Sequence, residues 1–162
     1  MYKLLHTNVD WMLTWLRIVT GAVMFAHGAQ KVLGWYGGNG FDASMQGFSS
    51  MGIPGPLAVV AIFTEFFGAI ALMAGLLGRI AALAIAIEMV VAALMVHVSH
   101  GFFMNWTGAA AGEGFEYHIL LIGAVLPVIV RGSGAWSVDL WLERWWKSHH
   151  PGFGELRGVH AH

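Results

Sequence analysis

The sequence predicts an all-α integral membrane protein whose helices form a four-helix bundle. Of its 162 residues, 57% are hydrophobic and 10% are charged, whereas soluble domains average roughly 45–50% apolar and 25% charged residues. Four apolar segments stand out, at 11–33, 57–77, 80–98 and 116–131. The first three reach the roughly 20 residues with which a helix crosses a hydrocarbon core, and the fourth does so only with help from interfacial residues.

The first apolar segment also has features of a signal peptide, because Arg17 precedes a short apolar run and small residues. The segment already begins at Trp11, however, so we expect the first helix to be retained as a span. We expect one domain over residues 1–148 and a cytoplasmic tail over 149–162. The four histidines of that tail lie among Gly and Pro residues that preset no metal geometry.

Basic residues are distributed unevenly around the predicted spans. Lys3 precedes the first span, Arg79 lies between the second and third, and several basic residues follow the fourth, beginning with Arg131. The other two connections, 34–56 and 99–115, contain neither Lys nor Arg. The positive-inside rule therefore predicts that both termini are cytoplasmic and that these two connections face outward.

Two amphipathic helices are predicted outside the spans. Segment 137–147 has apolar residues at helical spacing and Ser137 as a candidate cap, which is typical of an interfacial helix on the cytoplasmic surface. In the first outward connection, a second set of apolar residues predicts a short helix that acts as a lid or as a surface anchor. Its members are Phe41, Met45, Phe48 and Met51.

Ionisable residues within the spans indicate a buried polar site, because a charge at membrane depth is costly and normally has a partner. His27 and Lys31 lie one turn apart on the first span, and Glu65 lies on the second. His97 and His100 end the third, and the fourth begins with Glu116, Tyr117 and His118. We expect these side chains to converge in the outer half of the membrane.

A second polar pair is predicted deeper on the inner side. Arg17 and Glu88 fall at a similar depth when each residue is assigned about 1.5 Å of helical rise, and we expect them to pair. Glu88 and His97 are separated by nine positions, or about 180° around an α-helix, so we expect them to face different ways. Gly21 and Gly28 lie on the Arg17 face of the first span, which should therefore point into the bundle.

Several segments together resemble the DoxX family of small four-helix bacterial membrane proteins. They are RIVTGAVMFAHGAQKVLGW, TEFFGAIALMAGLLGRIAAL, HGFFMNW with GFEYHILL, and GSGAWSVD, and they extend over about residues 17–140. The resemblance implies quinone-linked oxidoreduction in the bacterial inner membrane. It carries over to six polar positions, which are His27, Gln30, Lys31, Glu65, Glu116 and Tyr117.

Quinone is therefore the expected cofactor, and its carbonyl groups need partners that deliver protons and stabilise negative charge. The candidate catalytic residues are His27, Lys31, Glu65 and Glu116. The candidate cofactor-binding residues are Gln30, Tyr117, Trp35 and Trp106. For any single aromatic residue, contact with lipid at the membrane interface is the more common role.

Three other functions stay open at this point. His27, His97, His100 and His118 are potential metal or haem ligands, although we expect no metal site. The chain is also compatible with a membrane anchor or assembly subunit of a larger respiratory or metal-handling complex, or with an oligomeric transporter. It has no cysteine and no dinucleotide-binding fingerprint, so we expect either that the electron donor docks beside the quinone or that a membrane or periplasmic partner protein carries the redox centre. Its net charge of −1 gives no reason to expect a nucleic-acid partner.

Overall fold

The computed structural model describes residues 2–150, and within that range it contains helices and no strands. The predicted all-α class is therefore confirmed. The helices are α1 (Tyr2–Leu5), α2 (Trp11–Val32), α3 (Gly40–Ser50), α4 (Gly55–Ala74), α5 (Gly78–His100), α6 (Glu116–Arg131) and α7 (Val138–His149). Helix α4 includes a π-helical turn at Thr64–Gly68, and α5 includes one at Ala93–His97 before it ends in a 3₁₀ turn.

Three of these helices are long and apolar enough to cross a membrane. They are α2, α4 and α5, with 22, 20 and 23 residues, and they coincide with the predicted spans at 11–33, 57–77 and 80–98. Helix α6 has 16 residues. Large apolar side chains such as Val60, Ile87 and Leu120 are exposed on the outside of these helices, as expected for lipid-facing surfaces.

Helices α2, α4, α5 and α6 pack around one apolar core. Its buried side chains include Met24, Leu72, Ile85, Leu121, Val125 and Val128. Glycine allows α2 to lie directly against α4: a Cβ atom on Gly28 would be 2.6 Å from the backbone of Glu65 and Phe66. Gly21 is buried on the same face, which confirms that the small-residue face of α2 points inward.

The α7 end of the protein, where α7 contacts α1 and the short turn between α4 and α5, holds a buried aspartate. The carboxylate of Asp139 accepts hydrogen bonds from the backbone N–H groups of Leu77 and Gly78, at 2.7 and 2.9 Å, and from the Ser133 hydroxyl at 2.6 Å. Asp139 therefore satisfies the first N–H groups of α5 although it belongs to α7.

Arg17 lies beside this aspartate, and its predicted pairing with Glu88 is wrong. Its guanidinium donates to the carbonyl groups of Ser133 at 2.8 Å and Trp136 at 2.6 Å, and also to those of Leu72, Met73 and Ala135. Arg17 is 1% exposed and interacts electrostatically with Asp139. Its long side chain reaches the free carbonyl groups at the end of α4, whereas the predicted pairing compared only the depths of Arg17 and Glu88 in the membrane.

Glu143 joins α7 to the N-terminal segment. Its carboxylate accepts hydrogen bonds from the backbone N–H of Thr7 at 3.2 Å and from Lys147 at 2.8 Å, and it contacts His6 Nδ1 at 2.9 Å. Burial raises the pKa of this carboxyl, but the bonds from Lys147, His6 and Thr7 outweigh burial and hold the pKa below its ordinary value. The ionised form of Glu143 therefore stabilises the fold.

Helix α7 turns its acidic residues inward and its aromatic residues outward. Asp139 and Glu143 are buried, whereas Val138, Trp141 and Trp145 are exposed. Ser137 accepts a hydrogen bond from the backbone N–H of Leu140, so it caps the helix as its sequence position predicts. The predicted tail over 149–162 lies almost entirely outside the described residues.

The opposite end, the long-loop end, carries the connections 33–54 and 101–115. Helix α3 occupies the first of them, which confirms the helix predicted from the spacing of its apolar residues. Phe41 of α3 stacks on Phe63 of α4, with ring centroids 6.0 Å apart. Helix α3 therefore lies against the upper part of α4.

Candidate functional site

A group of polar side chains lies toward the long-loop end of the core helices, and we call it the long-loop cluster. Its members are buried or half-buried except for His27, which is exposed. Each of the four core helices contributes to it. Its members are His27 and Lys31 of α2, Glu65 of α4, Glu88 and His97 of α5, and Tyr117 and His118 of α6.

The acidic part of the cluster contains one lysine and two glutamates. Lys31 Nζ forms an ion pair with Glu65, as the predicted convergence of α2 and α4 requires. The side chain of Glu88 lies within hydrogen-bonding range of Glu65. Two carboxylates so close repel each other unless a proton or a second cation lies between them. This part of the cluster is therefore suited to holding and releasing a proton.

The π-helical turns place two members of the cluster. Glu65 lies within the first turn, Thr64–Gly68, and His97 ends the second, Ala93–His97. A π turn takes in one extra residue and rotates the following side chains by about 100° relative to a regular α-helix. His97 therefore reaches α6, whereas Glu88 reaches Glu65 of α4. The expectation that Glu88 and His97 face different ways is wrong, because both point into the bundle.

The aromatic part of the cluster connects α5, α6 and α2. The ring centroids of His97 and His118 are 4.3 Å apart, and those of Tyr117 and His27 are 6.1 Å apart. His97 Nδ1 also contacts the Glu113 carbonyl oxygen at 2.8 Å, which ties the cluster to the connection 101–115. His118 is 6% exposed.

Three buried polar atoms of the cluster have no hydrogen-bond partner among the described residues. They are Glu88 Oε2, Tyr117 Oη and His118 Nδ1, and no other buried side-chain nitrogen or oxygen between residues 4 and 150 shares this property. Native proteins rarely leave such atoms unpaired, and where they do, a bound water or ligand is a common reason. The cluster thus has unused capacity for hydrogen bonding.

An apolar groove runs along the outer side of α4 and α5, and the two glutamates line its upper part. Its upper part has a volume of about 450 Å³ and is lined by Phe48 and Met51 near α3, by Leu57 and Val91, and by Glu65 and Glu88. Its lower part, of about 480 Å³, shares Val60, Thr64 and Ala84 with the upper part and is otherwise lined by apolar side chains. Each part lies in the range typical of small-molecule sites.

Four of the predicted site residues lie elsewhere. Gln30 donates to the Tyr36 carbonyl at 3.2 Å and so holds the loop that follows α2. Trp35 and Trp106 are 52% and 83% exposed and do not line the groove. Glu116 is half-buried at the start of α6, and its side chain forms no ion pair or hydrogen bond with another described residue.

Glu88 and His118 were missed as site residues by the sequence analysis. Glu88 was predicted to pair with Arg17. His118 was expected to lie with the converging polar side chains and was considered as a potential metal ligand, but it was not assigned to the quinone site. A signal for Glu88 was present, because it is the one acidic residue of its apolar span. Between residues 2 and 150, no group of three or more His, Asp or Glu residues is arranged to hold a metal ion.

The helices and the site define an all-helical membrane protein with a polar cluster beside an apolar groove. The model of the DoxX family matches residues 12–98, which is more than half of the chain. The chain therefore belongs to the DoxX family, and the resemblance noted in its sequence is confirmed.

Its relatives are bacterial proteins of similar length. Inner membrane protein YqjF of Escherichia coli is 28% identical over 70% of this chain and 82% of its own length. Putative oxidoreductase CatD of Bacillus subtilis is 29% identical over 76% of this chain and 81% of its own length. An uncharacterized protein of Haemophilus influenzae is 31% identical over 80% and 89%. No solved structure gives a significant match.

Proposed function

We propose that this protein is the quinone-binding component of an inner-membrane oxidoreductase. The observation that carries the proposal is the apolar groove between α4 and α5, whose upper part is lined by Glu65 and Glu88. A quinone has a flat ring with two carbonyl oxygens and, in membranes, a long apolar tail. The upper part of the groove suits the ring, and the lower part suits the tail.

The residues that line the upper part of the groove fit the chemistry of such a ligand. When bound, a quinone accepts two electrons and two protons. Glu65 and Glu88 would hold protons at their carboxyl oxygens and donate hydrogen bonds toward a carbonyl oxygen. Lys31, paired with Glu65, would stabilise negative charge at the same place. Phe48 and Met51 would exclude water from the ring.

We further propose that α6 completes a fourth span and that the protein is a multi-pass protein of the bacterial inner membrane. Arg17, Arg79 and Arg131 lie toward the α7 end, which would be cytoplasmic by the positive-inside rule. The exposed Trp141 and Trp145 would anchor α7 at that surface. The name of the Escherichia coli relative supports the location.

Electrons would come from a donor or from a partner protein. The chain has no cysteine to form a thiol relay or to hold an iron–sulfur cluster. The long-loop end, where the cluster lies, would face the periplasm, so a periplasmic donor or redox partner would have the shortest route to it. The name of the Bacillus subtilis relative supports an oxidoreductase.

A non-catalytic anchor or assembly subunit is the second candidate. The observation in its favour is the connection 101–115, in which Phe103 and Trp106 are 76% and 83% exposed. Such aromatic side chains suit contact with another membrane protein. This function alone would not explain the unpaired polar atoms inside the protein.

Quinone content tests the proposal. The protein would be purified in mild detergent, and the extracted lipids would be measured by mass spectrometry. Ala84 lines both parts of the groove, so Ala84→Phe should block it, whereas Ala22→Phe makes the same change on an exposed face of α2. We expect near-stoichiometric quinone in the wild type and in Ala22→Phe, loss in Ala84→Phe and reduced content in His27→Ala. Absence of quinone from the wild type would contradict the proposal.

A further inference from the structure

We propose that His97 and His118 are the entry of a proton path from the long-loop end to the carboxyl groups of Glu65 and Glu88. Only the last step of the path, from the carboxyl groups to quinone, rests on the proposed function. In that step, two protons would leave the carboxyl groups as quinone is reduced to quinol by two electrons. The electrons would come from the redox partner, so the path itself moves protons only.

The path begins at His97, which lies where the protein meets the connection 101–115. Its Nδ1 contacts the Glu113 carbonyl oxygen at 2.8 Å, and a carbonyl oxygen can only accept a hydrogen bond. Nδ1 must therefore carry hydrogen, which leaves Nε2 as the nitrogen that can accept and release a proton. Glu113 is exposed, so protons from the surroundings can reach this place.

The next group is His118, which is well suited to pass a proton inward. Its ring lies 4.3 Å from that of His97, and the side chain is buried. Its Nδ1 has no partner among the described residues. Burying an imidazole nitrogen without a hydrogen-bond partner costs free energy, which a purely structural residue would avoid. A proton relay, by contrast, requires a nitrogen that is free to bind and release a proton.

Tyr117 and His27 connect His118 with the glutamates. His118 and His27 interact electrostatically, and Tyr117 interacts in the same way with Glu65. The Tyr117 hydroxyl and Glu88 Oε2 are buried and unpartnered, as is His118 Nδ1. Water bound to these three atoms would complete a hydrogen-bonded path across the ring separations of about 6 Å.

The titratable groups that interact with His118 are His27 of α2, His97 of α5 and Tyr117 of α6 itself. Lys31, Glu65 and Glu88 come next, because they interact with His27, with Tyr117 or with one another. Lys31 is occupied by its ion pair with Glu65. The two glutamates are the only acidic members of this set, and they are therefore where protons would accumulate.

Hydrogen–deuterium exchange of the carboxyl groups tests the path without any added quinone. The protein in lipid nanodiscs would be moved into D₂O, and the shift of the carboxylic C=O infrared band would be followed in time. Glu65→Gln and Glu88→Gln would assign the band. We expect His97→Phe and His118→Phe to slow the exchange at least about tenfold, because each removes a proton-carrying group.

Imidazole and His100→Phe are the controls. Added imidazole should restore the exchange in His97→Ala and His118→Ala, in which the missing ring leaves room for it, and a merely structural role would not allow this rescue. His100 is exposed near the end of α5 and bonds only to its own helix, so His100→Phe should exchange like the wild type. If a Phe variant does not fold, His118→Gln replaces it.

Unchanged exchange in the folded His97 and His118 variants would overturn the path, as would the lack of any band assigned to Glu65 or Glu88. Quinone extracted from the same samples separates the two proposals. Slowed exchange in a protein without quinone would support the path and contradict the quinone site. Bound quinone with unchanged exchange would support the quinone site and contradict the path.

Discussion

Two buried groups of charged side chains lie toward opposite ends of the same helices, and they differ in how completely they are hydrogen-bonded. At the α7 end, Arg17 donates to five carbonyl groups, and Asp139 accepts three hydrogen bonds. At the long-loop end, Glu88, Tyr117 and His118 each retain a buried atom without a partner. A fully satisfied polar network specifies one packing, whereas a partly satisfied one is adapted to exchange protons or to bind a ligand.

The difference has a simple origin in the chemistry of the two sites. The α7-end residues bond mainly to backbone groups at helix termini, which are numerous and fixed in position. In the long-loop cluster, by contrast, side chains meet side chains, and one lysine faces two glutamates. At the α7 end, therefore, Arg17 and Asp139 have their hydrogen-bond partners and opposite charges. In the long-loop cluster, one positive charge faces two carboxyl groups, and polar atoms remain without a partner.

Removing Arg17 should have the largest effect on stability. Arg17→Ala leaves Asp139 without its nearby cation and removes one donor from each of five carbonyl groups, so we expect a loss of about 3–5 kcal/mol in the free energy of unfolding. The melting temperature in detergent is the measurement. Arg131→Ala, which removes an exposed arginine at the end of α6, is the matched control. Equal melting temperatures for the two variants would contradict the structural role of Arg17.

Gly28 should be the next most sensitive position. Gly28→Ala places a Cβ atom against the backbone of Glu65 and Phe66, which cannot move aside like a flexible side chain. We expect destabilisation of about 1–3 kcal/mol and loss of bound quinone, because Glu65 would be displaced. Gly123→Ala on α6, where a Cβ meets nothing within 4 Å, should melt at or slightly above the wild-type temperature. A Gly28→Ala protein with normal stability and quinone would disprove the close contact.

A smaller effect is expected from the titration of Glu143. The folded state lowers the pKa of this carboxyl below the ordinary value of 4.5, so ionised Glu143 stabilises the fold. This stabilisation is complete above the unfolded pKa and is lost as the pH falls through the folded pKa. Melting temperatures between about pH 6 and pH 3 should therefore fall in the wild type and fall less steeply in Glu143→Gln. Asp42→Asn, on the exposed surface of α3, should retain the wild-type slope.

Sequence reasoning located the helices better than it located the partners of the polar residues. Apolar periodicity identifies a buried helix face without knowledge of its neighbours, and so the inward face of α2 and the helix in the first connection could be predicted. The Lys31–Glu65 pair could be predicted in outline, because both side chains were assigned to the outer half of the membrane. The partners of Arg17 could not be predicted. They are backbone carbonyl groups at the end of α4, and such groups occur in every sequence and leave no pattern.

The π turns explain much of what remained unpredicted in the site. A rule of 100° per residue places Glu88 and His97 on opposite sides of α5, but the extra residue of Ala93–His97 rotates His97 toward His118. No composition or spacing in the segment ALMVH distinguishes a π turn from an α-helix. The proximity of His97 to His118 was therefore visible only in three dimensions.

The most direct test makes the same chemical change in both polar groups and measures stability and quinone together. Asp139→Asn puts an NH₂ group or a weaker acceptor against three donors. We expect it to lower the free energy of unfolding by about 1–3 kcal/mol. The protein that remains folded should keep its quinone. Glu88→Gln should change stability by less than about 1 kcal/mol but should remove most of the quinone. Destabilisation by Glu88→Gln equal to that by Asp139→Asn, with quinone retained, would show that both clusters are structural and would contradict the division proposed here.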